Sequence, residues 1–289
     1  SKIINIEKVE KGFLSENYKL STNLGSYFLK KYRFDNEGKI KDIHASKKYF
    51  GDNGIPVIMP VKTKTNDTYF KQNGSYFTLF KFVSGLQPVR GNLSDEMIMS
   101  MGRMLGKMHL LGKNCSVKLN NTFDGWNKKK ALETANILID KIKRIEDKTD
   151  FDKLALKTIT LKKELIEKNN IAYEDMNLAS DHLIHGDYLD QNIFFDNDNQ
   201  IKYIFDFENT KYAPRTHELF RSATYSFLNT DFSEISIKNM NLYIKSYLET
   251  YPFDKKELEN GFMAHYRESV HSFWVEKEHY LKNNYRVDL

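Results

Sequence analysis

The chain has 289 residues and 34.0 kDa, 40% of them hydrophobic and 13% aromatic, with 5 Pro and 14 Gly. That composition excludes a disordered or fibrous polypeptide and is long enough to split into two unequal lobes. A net charge of +5 is spread over runs such as Lys128-Lys129-Lys130, Lys162-Lys163 and Lys255-Lys256, which read as solvated helix faces and not as a nucleic-acid surface. The single cysteine, Cys115, excludes an intramolecular disulfide. With no apolar run near the ~20 residues that span a bilayer and no signal-peptide pattern, a soluble, cytoplasmic protein is expected, without membrane or nucleic-acid partners.

Residues 1–35 predict a small antiparallel meander: Ile3-Ile4-Asn5-Ile6, a turn near Gly12, Asn17-Tyr18-Lys19-Leu20, a turn at Asn23-Leu24-Gly25, and a strand from Ser26 to Tyr32. Neighbouring strand residues point to opposite faces, so only one of Lys30 and Lys31 can face the interior. A helix follows from about Lys39 to Tyr49, stopped by Gly54 before Ile55-Pro56-Val57. Two strand-like runs, Asp67-Thr68-Tyr69-Phe70 and Tyr76 to Val83, flank Asn73-Gly74, a type I′ hairpin signal. The softer stretch Gly85 to Gly91 marks a boundary, giving domains 1–84 and 85–289.

Ser94-Asp95-Glu96-Met97 opens a helix on which Met97, Met101, Met104, Leu105 and Met108 recur at helical spacing as core, with His109 a structural histidine at its end. Lys128–Asp147 and Asp152–Asn169 read as amphipathic helices, the first with Leu132, Ala135, Ile139, Ile142 and Ile145 on one face.

The chemistry is concentrated in His182 to Glu208. The apolar Leu183-Ile184 leads to a turn holding His185 and Asp187, and the strands Asn192-Ile193-Phe194-Phe195 and Ile201 to Phe207 are separated by Asp196-Asn197-Asp198-Asn199-Gln200. This is a hairpin signal. A turn centred near Asn199 sets Asn192 opposite Asp206, so an amide oxygen and a carboxylate converge beside the turn of Asp187. Hard oxygen ligands of this kind suit Mg²⁺, which shares its shell with water and phosphate, and the arrangement reads as a phosphoryl-transfer site. Asp190, Asp196 and Asp198 read as loop solvation. The acidity of Asp181 to Glu234 favours a metal or a cationic acceptor.

Beyond the hairpin, Glu218 is expected to pair structurally with Arg215 or Arg221. A helix over 233–250 follows. Asp254-Lys255-Lys256-Glu257 then resembles a capping box opening one long helix, with Leu258, Phe262, Tyr266, Phe273 and Trp274 as its core face.

His185-x-Asp187 with Asn192 five residues on, and a strand ending Ile204-Phe205-Asp206-Phe207-Glu208, resembles the phosphotransferase family of aminoglycoside, choline and homoserine kinases. The resemblance implies an α+β, bilobal protein-kinase-like fold, with an N-terminal antiparallel sheet lobe that binds nucleotide and a larger, mostly helical C-terminal lobe for catalysis and acceptor. It implies an ATP-dependent phosphotransferase, with GTP left open as donor, that needs Mg²⁺ and acts on a hydroxyl of a small molecule such as an amino alcohol, sugar or aminosugar.

By the same resemblance Asp187 is the catalytic base, and Asn192 and Asp206 hold magnesium. The pattern aromatic-aliphatic-Leu-Lys picks Lys30 as the phosphate-binding lysine, with Gly12, Ser15 and Asn17 in the loop over the phosphates. Phe80 to Ser84 matches the inter-lobe connector, where the Lys81 carbonyl and Val83 amide would meet adenine. The helix that should supply a glutamate to the lysine offers only Asp42 and His44. A protein Ser/Thr kinase is the runner-up, disfavoured by Gly186 and by Asp206-Phe207-Glu208 in place of Asp-Phe-Gly. The missing glutamate motivates a third reading, a nucleotide-binding scaffold without turnover.

Overall fold

The computed structural model describes residues 2–9, 16–89, 91–113, 115–120, 123–229 and 233–287. The chain forms two compact units, one of Ser1–Phe123 with Ala179–Asp254 and one of Asp124–Leu178 with Lys255–Leu289. The boundary expected between residues 84 and 85 lies within the first unit.

The first unit opens with an antiparallel sheet of β1 (Ile3–Val9), β2 (Glu16–Thr22), β3 (Gly25–Lys31), β4 (Phe70–Gln72) and β5 (Ser75–Lys81), in the spatial order β1-β2-β3-β5-β4. Asn73 and Gly74 both take positive φ, 50° and 77°, so the Asn-Gly pair closes β4 onto β5 in the type I′ conformation expected of it. Alternation on β3 separates the two lysines. Lys31 lies opposite Glu16 and pairs with it at 3.0 Å, while Lys30 faces the other way, between Asn17 on β2 and Thr78 on β5.

Helix α1 (Glu37–Asp52) starts earlier than its apolar spacing suggests because the Asn36 side chain caps it, accepting from the Lys39 N–H. It buries Ile40, Ile43 and Phe50. Residues 55–61 then run as a strap: Val57 bridges Ile204, and the Val61 N–H donates to the Leu79 carbonyl. Helix α2 (Asp95–Gly112), capped by Ser94, buries Met97, Met101, Leu105 and Met108 of the predicted methionine stripe and leaves Met104 half-buried.

The chain returns to this unit with β6 (His182–Ile184), which pairs with β9 (Lys211–Ala213), and with the hairpin of β7 (Ile193–Phe195) and β8 (Ile201–Ile204). The connector after β5 is stitched to this hairpin, Leu86 and Phe195 exchanging backbone hydrogen bonds at 2.8 Å each. Helices α5 (Arg215–Ser226) and α6 (Ile237–Thr250) complete the unit, α6 packing on α2.

The second unit holds α3 (Lys128–Lys143), α4 (Asp150–Lys168), α7 (Lys255–His271) and α8 (Trp274–Lys282). Thr149 and Asp152 form a reciprocal capping box, which fixes the start of α4 at Asp150 and not at Asp152. Ala135, Leu138, Ile142, Ile159 and Ile166 form its core with Phe273 and Tyr280. The single long C-terminal helix expected is broken at Phe273, which leaves helical geometry to insert into that core. Phe262, Tyr266 and Trp274 are correspondingly 50%, 51% and 44% exposed; the face that packs inward is the small one, with Ala264 against Trp126 and Met176. No helix among the described residues is long and apolar enough to cross a membrane.

Candidate active site

The loop after β6 is held by one carboxylate. Glu218 of α5, fully buried, accepts the N–H groups of His185, at 3.0 Å, and Gly186. Its Oε2 also receives the His109 Nε2 hydrogen at 3.0 Å, and the Tyr247 hydroxyl closes the chain on His109 Nδ1 at 2.9 Å. Burial opposes ionisation of Glu218, but His109 and the backbone donors outweigh it and hold its pKa below the ordinary glutamate value. Gly186 has φ +84°, and a Cβ there would lie 2.0 Å from the Asn209 carbonyl oxygen, so the turn admits no side chain.

His185 fixes the orientation of the next residues. Its Nε2 reaches the Phe205 carbonyl at 2.9 Å and its Nδ1 accepts the Asp187 N–H at 3.1 Å, which assigns the neutral tautomer with the proton on Nε2. Burial pushes its pKa down, in keeping with a neutral ring. The Asp187 carboxylate is thereby presented partly exposed, with Arg221 Nη2 on Oδ1 at 2.8 Å and Asn192 Nδ2 on Oδ2 at 3.2 Å.

Asn192 and Asp206 come to this centre by a different register from the one counted along the sequence. The turn is centred on Asp198, one residue earlier than counted, with Phe195 opposite Ile201; a bulge between Phe194 and Phe195 recovers one residue of the offset, so Ile193 faces Ile204 and the Asn192 carbonyl accepts from the Phe205 N–H at 3.1 Å. Asn192 therefore lies opposite Phe205, one residue short of Asp206. Asp206 lies beyond the end of β8 with φ +62°, a left-handed conformation uncommon for a residue with a side chain. That turn sends its carboxylate to Lys30, whose Nζ is 2.9 Å from Asp206 Oδ1 and 2.6 Å from Glu208 Oε1. Burial works against the Lys30 charge, yet the two carboxylates outweigh it and hold its pKa above the ordinary lysine value.

Opposite Lys30 on β2, Asn17 has a buried Oδ1 with no hydrogen-bond partner among the described residues. Among those residues no group of three or more His, Cys, Asp or Glu is gathered as a protein-only metal cage. A sparse set of one amide and one or two carboxylates is the donor chemistry of Mg²⁺, which completes its shell with water and phosphate.

The sequence profile of the Phosphotransferase enzyme family matches residues 5–240 of this chain. The chain belongs to that family. A homoserine kinase of Nitrobacter winogradskyi is 25% identical over 143 residues, a match that covers 48% of this phosphotransferase-family chain and 43% of that protein. Among solved structures, spectinomycin phosphotransferase in complex with ADP and spectinomycin superposes with a TM-score of 0.64 at 17% identity, covering 99% of this chain and 92% of its own. A microcompartment-associated aminopropanol kinase gives 0.63 at 11% identity, covering 98% and 87%. These likenesses establish the fold, the protein-kinase-like one that the His-x-Asp motif implies.

Within this member of the family, the structure pairs Asp187 with Asn192 and Asp206 with Lys30, and links the two pairs through Phe205, whose N–H meets the Asn192 carbonyl and whose carbonyl meets His185; Asn17 lies opposite Lys30 on β2. Phe80 is buried at the end of β5, Lys81 pairs with Tyr27, and Val83 follows half-buried in the connector. Gly12 and Ser15 lie outside the described residues.

Three expectations are corrected. Asp42 does not reach Lys30: its carboxylate takes the Asn120 N–H at 2.8 Å and the Asn120 side-chain amide at 3.0 Å. His44 is tied to Thr68 at 2.7 Å and to Tyr32 at 3.2 Å, and burial with the nearby Lys47 and Lys30 drops its pKa to about 3. Glu218 serves His109 and the loop backbone; of its two expected arginine partners, Arg221 reaches Asp187, and Arg215 lies against the ring faces of Tyr251 and Phe253.

Sequence reading named Glu208 and Arg221 without these contacts and passed over Arg33 and Lys47. Glu208 was visible two residues after Asp206, but both lie past the end of β8, where no strand alternation fixes the side on which they fall. Part of the acidity that suggested a cationic acceptor is matched within the protein, Asp187 by Arg221 and Asp206 and Glu208 by Lys30.

Proposed function

We propose that this chain is an ATP- and Mg²⁺-dependent O-phosphotransferase acting on a hydroxyl of a small molecule such as an amino alcohol, sugar or aminosugar. The observation that supports the reading is the pairing of Asp187 with Asn192 and of Asp206 with Lys30, linked through the backbone of Phe205, on a chain of the phosphotransferase enzyme family. Residues 1–84 serve the nucleotide and 85–289 catalysis and acceptor. Lys30 takes the α- and β-phosphates, residues Gly12 to Asn17 cover them, and the connector from Phe80 through Lys81 to Val83 takes the adenine. Asn192 and Asp206 hold the magnesium ion, which neutralises the phosphate oxygens.

Asp187 accepts the acceptor hydroxyl proton. His185 orients it through the backbone, and the ladder from Tyr247 through His109 to Glu218 keeps the loop from shifting. With little bond-making left to the protein, positioning and charge neutralisation do most of the work.

A coupled assay of ADP release over sugars, amino alcohols and aminoglycoside-type antibiotics, with magnesium, tests this reading. A hydroxyl-bearing small molecule that raises turnover well above the acceptor-free rate supports it. Phosphate transferred to protein and to no small molecule would replace it with the protein-kinase reading.

A further inference from the structure

Helix α1 carries three acids, and all are engaged away from Lys30. Glu37 meets Lys41 at 2.7 Å and the Tyr69 hydroxyl at 2.6 Å, Asp52 meets Lys48 at 2.6 Å, and Asp42 is held by Asn120. The most deeply buried ionisable residue of α1 is instead a lysine. Lys47, 3% exposed, donates to the Ile58 carbonyl at 2.9 Å and lies 5.0 Å over the Phe80 ring and 5.1 Å over that of Phe207. No acid of α1 is placed to orient the phosphate-binding lysine.

Glu208 fills that vacancy. Its residue is 8% exposed, and its two oxygens are divided between two cations: Oε1 is 2.6 Å from Lys30 Nζ and Oε2 is 3.7 Å from Arg33 Nε. Arg33 lies just after β3, two residues past its end, so Lys30, Glu208 and Arg33 form a chain from the sheet to the segment after β8 and back. We propose that Glu208, supplied from beside Asp206 and not from α1, is the carboxylate that positions Lys30 for the nucleotide phosphates, with Arg33 gripping Glu208 in turn. The inference rests on the phosphotransferase reading above. Its physical content is a division of labour between two acids: Glu208 keeps Lys30 in place when Asp206 turns to magnesium, so that neither carboxylate must serve both cations.

A positioning residue that acts through Lys30 loses its effect when Lys30 is gone, which a double-mutant cycle reads directly. E208Q is expected to lower kcat/KM for ATP by about 10- to 100-fold, with the half-saturating magnesium concentration unchanged. In a K30A background the same substitution is expected to change kcat/KM by no more than about twofold. R33Q, at a half-exposed position that tolerates replacement, is expected to give a smaller loss that also vanishes in K30A; it serves as the second probe should E208Q melt early.

Losses that multiply in the double variants, or a raised magnesium requirement in E208Q, would overturn the inference and assign Glu208 to the metal. A wild-type chain that turns over ATP while showing that outcome leaves the phosphotransferase reading standing. A wild-type chain that neither binds nor turns over ATP removes both.

Discussion

Arg221 donates through Nη2 to Asp187 Oδ1 at 2.8 Å, one turn of α5 beyond the Glu218 that anchors the same loop from behind. The base is thus gripped on two sides, through its backbone neighbours and through its carboxylate. R221Q is expected to lower kcat by about tenfold or more, with R221K intermediate because an ammonium lacks the planar fork of the guanidinium. An unchanged rate would mean that the bond is incidental.

The Gly186 turn is a steric requirement and can be tested by stability alone. With φ +84° and a carbonyl oxygen 2.0 Å from the position of a Cβ, G186A must displace the backbone of the Asn209 loop. A loss of about 3 kcal/mol or more in chemical denaturation is expected, the scale of a strained backbone with a steric clash. G186A as stable as the parent would show that the loop gives way freely.

Glu218 accepts three hydrogen bonds in a fully buried setting, from His109 and from the N–H groups of His185 and Gly186. E218A leaves those donors buried without their acceptor, and a destabilisation of about 2–4 kcal/mol is expected from urea titration. H109A should cost less, since the loop backbone keeps its partner.

Lys47 makes stability depend on pH. Burial pulls its pKa from 10.5 down to about 7, helped by the neighbouring Lys30 and opposed by Asp206. Below about pH 7 the lysine is charged in the folded and unfolded chains alike, and folding carries the full cost of burying the charge. Between about 7 and 10.5 the unfolded chain holds the extra proton, so this group makes stability rise with pH through that window. K47M should lack this rise, gaining most over the parent at about pH 6 and progressively less at about pH 9. Parallel stability curves for the two proteins would place the lysine's pKa near its ordinary value.

The features legible in the sequence were those set by local rules. Alternation separated Lys30 from Lys31, Asn73-Gly74 closed its hairpin, and the methionines of α2 lined one face because helical spacing puts them there. The polar cluster before Gln200 announced the β7–β8 turn but not its centre, which is Asp198 and not Asn199, and the bulge that recovers part of that offset is advertised by no side-chain pattern. The missed partners of charged groups involve long-range pairing. Asp42 finds Asn120 and Lys30 finds Glu208, 78 and 178 positions away, and which of several acids a cation meets is decided by packing and not by spacing. The C-terminal helix was read as continuous because its aromatics recur at helical intervals, whereas Phe273 leaves the helix to fill the core of the second unit.

Steady-state turnover of D187A, set beside the wild-type chain with its best acceptor, ATP and magnesium, tests the central claim most directly. A general base in this position predicts a fall in kcat of about 10²–10⁴. Turnover near that of the wild-type chain would contradict the account.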